Sequence, residues 1–524
     1  MSRISKAFLF AAAPLLVHSA LAQTAVLTYH GDIFRTGGYR QETKLTPTNV
    51  NSTTFGKLFI MPADGLVDAQ PLYVPGLSIA SVTHNVVFVV TENDTVYAYD
   101  ADSSGVPLWQ VSVLKSGETP SDDRGCGQIT PQIGITSTPA IDTSAGPHGT
   151  MYLVAMSKDS SGNYHQRIHA LDITTGVEEF GGPVDVSATY PGSGENSSGG
   201  KVVFDPAQYD ERAALLISGG SVITSWGSHC DAQPYTGWVM SYSETSLDQV
   251  SVLNVTPNGS EGAVWQSGNG PAADASGNLY LLVANGTFDT TLNTSGFPNE
   301  GDYGNAFVKI SNTGNKLAVA DYFTMFNTVS ESDADEDLGS GGEMLLPALT
   351  NASGQTVQLA VGAGKDTNIY VVNRANMGKF NTSSNNVYQE LSGVLPGGAW
   401  SSPAYFDGRI YYGDEGDNIR SFVWQSGAFK AGSKSAHVFG YPGATPAVSS
   451  NGKTDGILWA TENVSPAVLW AYSATNLGTM LYNSSQAGTR DNFGNGNKFI
   501  TPMVANGKVY VGTQTGVGVF GLLP

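Results

Sequence analysis

The chain has 524 residues and is rich in glycine, with 63 Gly and 25 Pro, whereas only 13% of its residues are charged. This composition contains few of the residues that build long amphipathic helices, and it therefore excludes helical bundles and coiled coils. The formal net charge of −20 repels phosphate backbones and anionic lipid, so we expect no nucleic-acid or membrane partner.

The first residues have the pattern of a targeting sequence. Arg3 and Lys6 precede an apolar run at residues 7–17, and a small-x-small pattern ends at Ala22. This predicts a signal peptide over residues 1–22, since so short a run cannot span a bilayer of about 30 Å. We therefore expect a monomer that is secreted to the extracellular space or the periplasm, without membrane insertion.

Two cysteines, Cys126 and Cys230, are present in the chain. In an exported protein they can form one disulfide, which would close a loop of about a hundred residues and stabilise the fold. Two buried free thiols are the alternative, because the sequence does not report the Cα separation that decides between them.

Three segments share one hairpin pattern, in which an alanine, a polar turn and a glycine are followed by an aromatic residue. They are residues 98–109 (AYDADSSGVPLW), 170–180 (ALDITTGVEEF) and 471–482 (AYSATNLGTMLY). We expect Asp100 and Asp172 to bond their own backbone at the start of the turn. Gly105, Gly176 and Gly478 are expected to supply a positive φ.

Eight apolar runs bounded by turn residues predict eight recurring strands. They lie at residues 86–90, 151–156, 214–218, 279–284, 357–363, 409–413, 457–461 and 508–513. The prolines that precede them are Pro71, Pro139, Pro206, Pro271, Pro347, Pro403, Pro446 and Pro502. Pro206 is the weakest member of this set, because its strand begins several residues further on.

Units of this size cannot bury both faces of a sheet alone, so they stack radially. We predict an all-β chain that forms a single β-propeller over residues 23–524, with eight four-stranded blades. Residues 499–523 supply about three strands of the last blade, and the early segment 55–63 supplies its outermost strand. Closing the ring in this way removes open sheet edges.

The hairpin pattern of residues 98–109 and 170–180 resembles the repeat of the pyrroloquinoline-quinone (PQQ) propellers, the quinoprotein alcohol dehydrogenase-like group. Longer runs, from TYHGDIFRTGGYRQET through GQITPQIGITSTPAID to VGAGKDTNIYVVNRANMGKFN, resemble secreted PQQ-repeat-like proteins of mostly undefined function. The resemblance implies an eight-bladed propeller with its ligand site near the central axis, and PQQ and calcium as the cofactors of an active member. The chain lacks two features of quinoprotein dehydrogenases, namely adjacent cysteines and a Cys-x-x-Cys-His haem segment.

An acidic run suggests a metal site. Asp333, Asp335 and Asp337 alternate before Gly339 and Glu343. Alternate carboxylates can converge on a hard cation such as Ca²⁺, which requires six to eight oxygens. A solvated acidic loop is the alternative interpretation.

Two further groups of residues are candidates for ligand binding. The segment SWGSHCDAQPYTGW combines aromatic faces with polar groups, as a small-molecule or sugar pocket does. Its candidates are Trp226, His229, Asp231, Tyr235 and Trp238. Lys365 and Arg374 would form ion pairs with an anionic ligand, such as a quinone carboxylate, if both side chains face the axis. The alternative for the aromatic segment is a loop that is held in place by its own aromatic residues. The alternative for Lys365 and Arg374 is that they are ordinary surface charges of hairpins.

Two functions remain open from the sequence. In the first, the protein is a secreted propeller that binds a small molecule or glycan as an interaction scaffold, without catalysis. In the second, it is a PQQ- and calcium-dependent oxidoreductase that acts on alcohols or sugars. The sequence does not decide whether the protein is an enzyme, because a fold alone does not establish function.

Overall fold

The structure is a computed structural model that describes residues 24–314 and 316–524. The predicted signal peptide lies outside the described residues. Eight sheets, each containing a run of four antiparallel strands, follow one another along the chain. We number them sheet 1 to sheet 8 by the position of their first strand, and they confirm the predicted all-β class.

Sheets 1 to 4 occupy the first part of the ring. Sheet 1 comprises Leu72–Ile79, Val82–Val90, Thr95–Asp100 and Trp109–Ser112. Sheet 2 comprises Ala140–Asp142, Thr150–Lys158, Tyr164–Asp172 and Val184–Asp185. Sheet 3 comprises Leu216–Ser218, Ser221–Ser225, Trp238–Ser243 and Gln249–Asn254. Sheet 4 comprises Ala272–Ala273, Leu279–Leu282, Phe307–Asn312 and Leu317–Phe323.

Sheets 5 to 8 complete the ring. Sheet 5 comprises Met344–Leu345, Leu359–Ala363, Ile369–Asn373 and Gln389–Leu391. Sheet 6 comprises Ala404–Phe406, Arg409–Tyr412, Asp417–Gln425 and Ala428–Phe439. Sheet 7 comprises Ala447–Asn451, Thr454–Glu462, Val468–Ser473 and Asn476–Asn483. Sheet 8 comprises Met503–Ala505, Lys508–Thr513, Gly516–Leu522 and, at its outer edge, Phe55–Pro62.

The connections contain short helices and accessory strands. The helices are Tyr29–Gly31, Gln266–Gly268, Thr328–Asp333, Leu338–Ser340 and Ser484–Asp491. The accessory strands are Gly38–Tyr39, Thr119–Asp122, Gln132–Ile133, Thr189–Pro191, Ser197–Ser198, Lys201–Val203, Tyr209–Asp210, Gly227–Ser228, Leu349–Thr350 and Thr356–Val357. No described helix is long and apolar enough to cross a membrane.

The predicted hairpin chemistry is present in the first two repeats. The Oδ1 atom of Asp100 accepts from the Asp102 amide at 2.8 Å, and that of Asp172 accepts from the Thr174 amide at 2.7 Å. Gly105 and Gly176 adopt φ values of +115° and +70°, as a turn without a Cβ clash allows. The prediction was wrong for Gly478, which lies inside the strand Asn476–Asn483 without a positive φ.

Two of the repeat prolines do not occupy the common position. In sheet 3 the apolar run at residues 214–218 supplies the first strand, whereas the other runs supply second strands. Pro206 instead precedes the accessory strand Tyr209–Asp210. Pro347 follows the first strand of sheet 5, Met344–Leu345. Pro206 and Pro347 therefore do not mark the start of a first strand.

The ring closes through pairing and through packing. Phe55–Pro62 pairs antiparallel with Gly516–Leu522, which confirms the predicted N-terminal closure. Buried Trp459 of sheet 7, Tyr510 of sheet 8 and Tyr99 of sheet 1 belong to one hydrophobic cluster. Similar clusters join each remaining pair of consecutive sheets. Each large apolar side chain buried there contributes about 1.5–3 kcal/mol, so the stacked sheets stabilise one another.

An N-terminal stretch, residues 26–38, runs across the first strands; we call it the axial segment. Its backbone carbonyls accept hydrogen bonds from first-strand amides of five sheets. The donors are Ile141, Ala273, Leu345, Tyr405 and Val448. The first strands therefore surround the axis, and the axial segment fills its centre. At its middle, the fully buried Arg35 donates to the carbonyl oxygens of Pro271 at 3.0 Å and Leu215 at 3.2 Å.

Candidate functional site

A cavity of about 390 Å³ lies among the loops that precede the first strands; we call it the axial pocket. The loops before the first strands of sheets 2 to 8 line it, together with the loops between the second and third strands of sheets 3, 4 and 5. Its lining residues are Asp123, Cys126, Gln128, Ile129, Ile133, Asp210, Arg212, Ser228, His229, Cys230, Asp231, Trp265, Ser267, Ala284, Asn285, Asp335, Asp337, Ser340, Lys365, Trp400, Tyr441 and Phe499. This volume is typical of small-molecule sites.

Lys365 is the centre of a charged cluster in the pocket. Its Nζ atom lies 2.8 Å from Asp337 Oδ1 and also contacts Asp335. Asn285 Nδ2 donates to Asp335 Oδ1 at 2.7 Å. The cluster depends on Gly364, because a Cβ at that position would lie 2.2 Å from the carbonyl oxygen of Asp337. The glycine lets the end of strand Leu359–Ala363 approach the acidic segment closely enough for Lys365 to reach both carboxylates.

The cluster shifts the pKa values of its members. Burial raises the pKa of Asp337 to about 6, although the Lys365 charge opposes that shift. Burial would lower the pKa of Lys365, but the charges of Asp337 and Asp335 outweigh it and raise that pKa. Above about pH 6 Asp337 is therefore ionised and pairs with the Lys365 ammonium group.

Cys126 and Cys230 form a disulfide with a Cα separation of 5.5 Å. The bond confirms the predicted pairing, and the alternative of two free thiols was wrong. It connects the loop before sheet 2 to a loop of sheet 3, and both cysteines line the axial pocket. The disulfide thus fixes one wall of the pocket.

Asn285 and His229 are polar residues of the pocket wall with buried side-chain atoms. Asn285 Oδ1 has no hydrogen-bond partner among the described residues, whereas the His229 ring is hydrogen-bonded to the Tyr209 backbone. Burial and the nearby Arg124 charge lower the pKa of His229 to about 4, so the imidazole is neutral at physiological pH. A buried acceptor without a partner, such as Asn285 Oδ1, is unfavourable by about 1–3 kcal/mol.

The predicted aromatic site divides into two groups. His229 and Asp231 line the axial pocket. Trp226, Tyr235 and Trp238 are fully buried in the hydrophobic core around sheets 2 and 3. These three do not line the pocket: Trp238 begins the strand Trp238–Ser243 with its side chain in the core, and Trp226 and Tyr235 pack into the same core from the connection before that strand.

The structure does not bring Lys365 and Arg374 together in the pocket. Only Lys365 lines the pocket. Arg374 is buried at the base of sheet 5, where Nη2 donates to the Leu346 carbonyl oxygen at 3.4 Å and the guanidinium lies 5.9 Å from the Phe34 ring. Arg374 therefore links sheet 5 to the axial segment.

The predicted metal set does not converge. Asp333 is exposed at the end of helix Thr328–Asp333, whereas Asp335 and Asp337 share Lys365. Glu343 is fully buried elsewhere, where its Oε1 accepts from the Ala272 amide at 2.9 Å. Within residues 24–314 and 316–524, no group of three or more His, Cys, Asp or Glu side chains could hold a metal ion. The alternation seen in the sequence is interrupted because residues 338–340 turn into a short helix.

Several pocket residues were not predicted from the sequence. They are Asp210, Arg212, Trp265, Asn285, Trp400, Tyr441 and Phe499. One signal was available for two of them, because Trp400 and Phe499 each stand three residues before a repeat proline, Pro403 and Pro502. The residues just before a first strand face the axis in this fold, so that position marks the pocket.

The sequence matches no family model and no curated protein. Solved structures with the same fold do exist. Quinohemoprotein alcohol dehydrogenase from Comamonas testosteroni is 14% identical with a TM-score of 0.63, and the match covers 95% of this chain and 80% of that one. Quinohemoprotein alcohol dehydrogenase ADHIIG from Pseudomonas putida HK5 is 14% identical with a TM-score of 0.64 and the same coverage.

A third structure, a europium-containing methanol dehydrogenase, is 12% identical with a TM-score of 0.61, and the match covers 95% of this chain and 98% of that one. At these identities the likeness establishes the fold alone. The chain therefore has the propeller fold of quinoprotein dehydrogenases, as its hairpin repeats suggested.

Proposed function

We propose that this protein is a ligand-binding propeller whose axial pocket takes up a small organic molecule, without catalysis. One observation supports this function above others, namely a cavity of about 390 Å³ in which five aspartates and four aromatic rings are brought together. Charged side chains and aromatic faces in one cavity of this size are typical of a small-molecule site, whereas a purely structural channel would be lined by apolar groups.

The same proposal places the protein outside the cytoplasm. The predicted signal peptide and the disulfide between Cys126 and Cys230 support export, because such bonds persist in oxidising compartments. The ligand is then a solute or a glycan unit of the extracellular space or the periplasm.

A pocket-blocking variant tests the proposal. Gln128 is exposed and lines the pocket, so Gln128→Trp inserts bulk at the mouth without disturbing a sheet. Gln425→Trp is the matched control, because Gln425 is exposed at the end of strand Asp417–Gln425 and does not line the pocket. We expect small amines, organic acids, sugars and short glycans, screened by thermal shift, to include a compound that stabilises the wild type and Gln425→Trp.

The same compound should fail to stabilise Gln128→Trp. If no compound of the screen stabilises the wild type, or if a stabilising compound acts equally on Gln128→Trp, the axial pocket is not the binding site.

A second candidate function is a quinone-dependent oxidoreductase. The fold shared with three dehydrogenases and the presence of Lys365 beside Asp335 favour it. Bound PQQ would supply an orthoquinone that accepts two electrons from an alcohol or sugar. The donor set does not fit this cofactor, because PQQ carries three carboxylates whereas the pocket contains five aspartates, and its two cationic side chains already face carboxylates.

The oxidoreductase candidate has a direct test. PQQ and Ca²⁺ are added to the purified protein, and quinone absorbance and dye reduction with alcohols and sugars are followed. We expect no stoichiometric uptake of PQQ. Turnover that disappears in Asp335→Ala or Lys365→Ala would contradict the proposed non-catalytic function and favour this second candidate.

A further inference from the structure

Three aromatic rings form one side of the axial pocket, which we call the aromatic wall: Trp400, Tyr441 and Phe499. The rings of Trp400 and Tyr441 meet edge to face at 6.0 Å between centroids, and those of Tyr441 and Phe499 do so at 6.3 Å. They come from the loops before sheets 6, 7 and 8. Tyr441 is 39% exposed, so the wall reaches from the pocket to its opening.

A cation already lies on this wall. The guanidinium carbon of Arg212 is 4.7 Å from the centroid of the Phe499 ring. The negative face of an aromatic ring attracts such a charge, and the attraction strengthens as water is excluded. The geometry of this contact shows that the wall presents a ring face, not only ring edges, to a positive group.

Acidic side chains complete the pocket. Its lining contains five aspartates, one arginine and one lysine. Both cations are engaged, since Arg212 Nη1 lies 3.9 Å from Asp68 Oδ1 and Lys365 contacts Asp335 and Asp337. Acidic groups thus remain in excess inside the cavity, and their field attracts a positive ligand and repels an anion.

Trp265 adds a fourth ring whose position is set by the backbone. A Cβ on Gly227 would lie 2.7 Å from Trp265 Cε3, so the indole lies flat against that glycine. Its Nε1 donates to Asp231 Oδ1 at 3.3 Å. The pocket thereby places an aromatic face next to a carboxylate, the combination that recognises organic ammonium groups.

We infer that the ligand of the axial pocket is an organic cation that carries a substituted ammonium group, held between the aromatic wall and the aspartates. This inference rests on the proposed ligand-binding function and specifies its chemical class.

Three probes of equal shape and different charge test the inference by isothermal titration calorimetry on the full chain. Choline carries a trimethylammonium group, 3,3-dimethylbutan-1-ol is its neutral isostere, and 3,3-dimethylbutanoate is an anion of similar shape. We expect choline to bind at least about tenfold more tightly than the alcohol, with no detectable binding of the anion.

Two pairs of variants locate the binding. Trp400→Leu should weaken choline binding at least about fivefold, whereas Trp424→Leu, a half-buried tryptophan of sheet 6 outside the pocket, should not change it. Asp335→Asn should weaken binding, whereas Asp333→Asn should not, since Asp333 is exposed and does not line the pocket.

Equal affinity for choline and the neutral alcohol, or tighter binding of the anion, would overturn the cation inference and leave the ligand-binding proposal intact. Failure of all three probes to bind at 10 mM would also overturn it, and the broader screen with Gln128→Trp would then decide the ligand-binding proposal separately. Loss of affinity in Trp424→Leu or Asp333→Asn as large as in the pocket variants would place the binding elsewhere.

Discussion

Lys365 and Asp337 form an ion pair at 2.8 Å in which the carboxylate is almost fully buried and the ammonium group is 18% exposed. The pair joins the acidic segment before sheet 5 to the end of the strand Leu359–Ala363, so that two loops of the axial pocket share one contact. Removing the lysine would leave two carboxylates without their cation.

Lys365→Met is therefore expected to lower the free energy of unfolding by roughly 3 kcal/mol, because breaking a buried pair leaves an uncompensated charge. Urea denaturation should show a larger loss at pH 8 than at pH 5, where Asp337 can take up a proton. Lys453→Met is the control, since Lys453 is 85% exposed and lies 3.4 Å from Asp407, and such pairs contribute less than about 1 kcal/mol. An equal loss in both variants would show that the buried pair has no special role.

Glu343 predicts a pH-dependent stability. Burial raises its pKa from 4.5 to about 8. The folded state therefore binds this proton more tightly, so the stabilising contribution is complete below pH 4.5 and is lost as the pH rises through about 8. The melting temperature of the wild type should fall between pH 5 and pH 8.5, and Glu343→Gln should show a smaller fall when both are followed by circular dichroism. A variant whose pH profile parallels the wild type would contradict this assignment.

Arg35 predicts a large loss of stability when it is replaced. Besides Pro271 and Leu215, it donates to Thr28 Oγ1 at 2.7 Å and to the Tyr29 carbonyl oxygen at 3.1 Å. Arg35→Met leaves several of these buried acceptors unpaired, at about 1–3 kcal/mol each. We expect calorimetry to show a loss of at least about 3 kcal/mol, and little change for Arg409→Met, which donates to a surface carbonyl oxygen. A wild-type melting temperature for Arg35→Met would mean that the axial segment does not stabilise the ring.

The disulfide predicts a loss of stability and a test by mass spectrometry. Cys126 and Cys230 are 104 residues apart, and a cross-link over such a loop stabilises by about 2–5 kcal/mol, chiefly by restricting the unfolded chain. Replacing both cysteines with serine should lower the urea midpoint accordingly. Peptides from the unreduced protein should contain Cys126 linked to Cys230, and recovery of both as free thiols would refute the bond.

Local sequence patterns predicted much of the fold. The turns at Asp100 and Asp172 form as expected because an aspartate bonds the backbone two residues later, which requires no distant partner. Gly478 belongs to the same sequence pattern but lies within a strand, because strand pairing inside sheet 7 overrides the local preference for a turn. The prediction that Pro206 precedes a first strand was also wrong, since no proline stands directly before the first strand of sheet 3.

The site was predicted less well than the fold. Trp226, Tyr235 and Trp238 have the composition of a pocket, yet all three pack into the core around sheets 2 and 3. Asp333, Asp335, Asp337 and Glu343 have the spacing of a metal loop, yet the chain turns between them and Lys365 enters from the next sheet. A segment's composition does not report which of its faces meets the axis.

The sequence by itself determined the all-β class, because turn chemistry and strand alternation act between residues that are near in the chain. The closing strand was predicted because the last repeat supplied only about three strands and lacked an outermost one. Only the tertiary structure decided what faces the axis. Asp123 and Phe499, for example, line the same cavity. Ring closure and the packing of consecutive sheets bring these two residues together. No local pattern contains that information, because the contacts join loops that are separated by most of the chain.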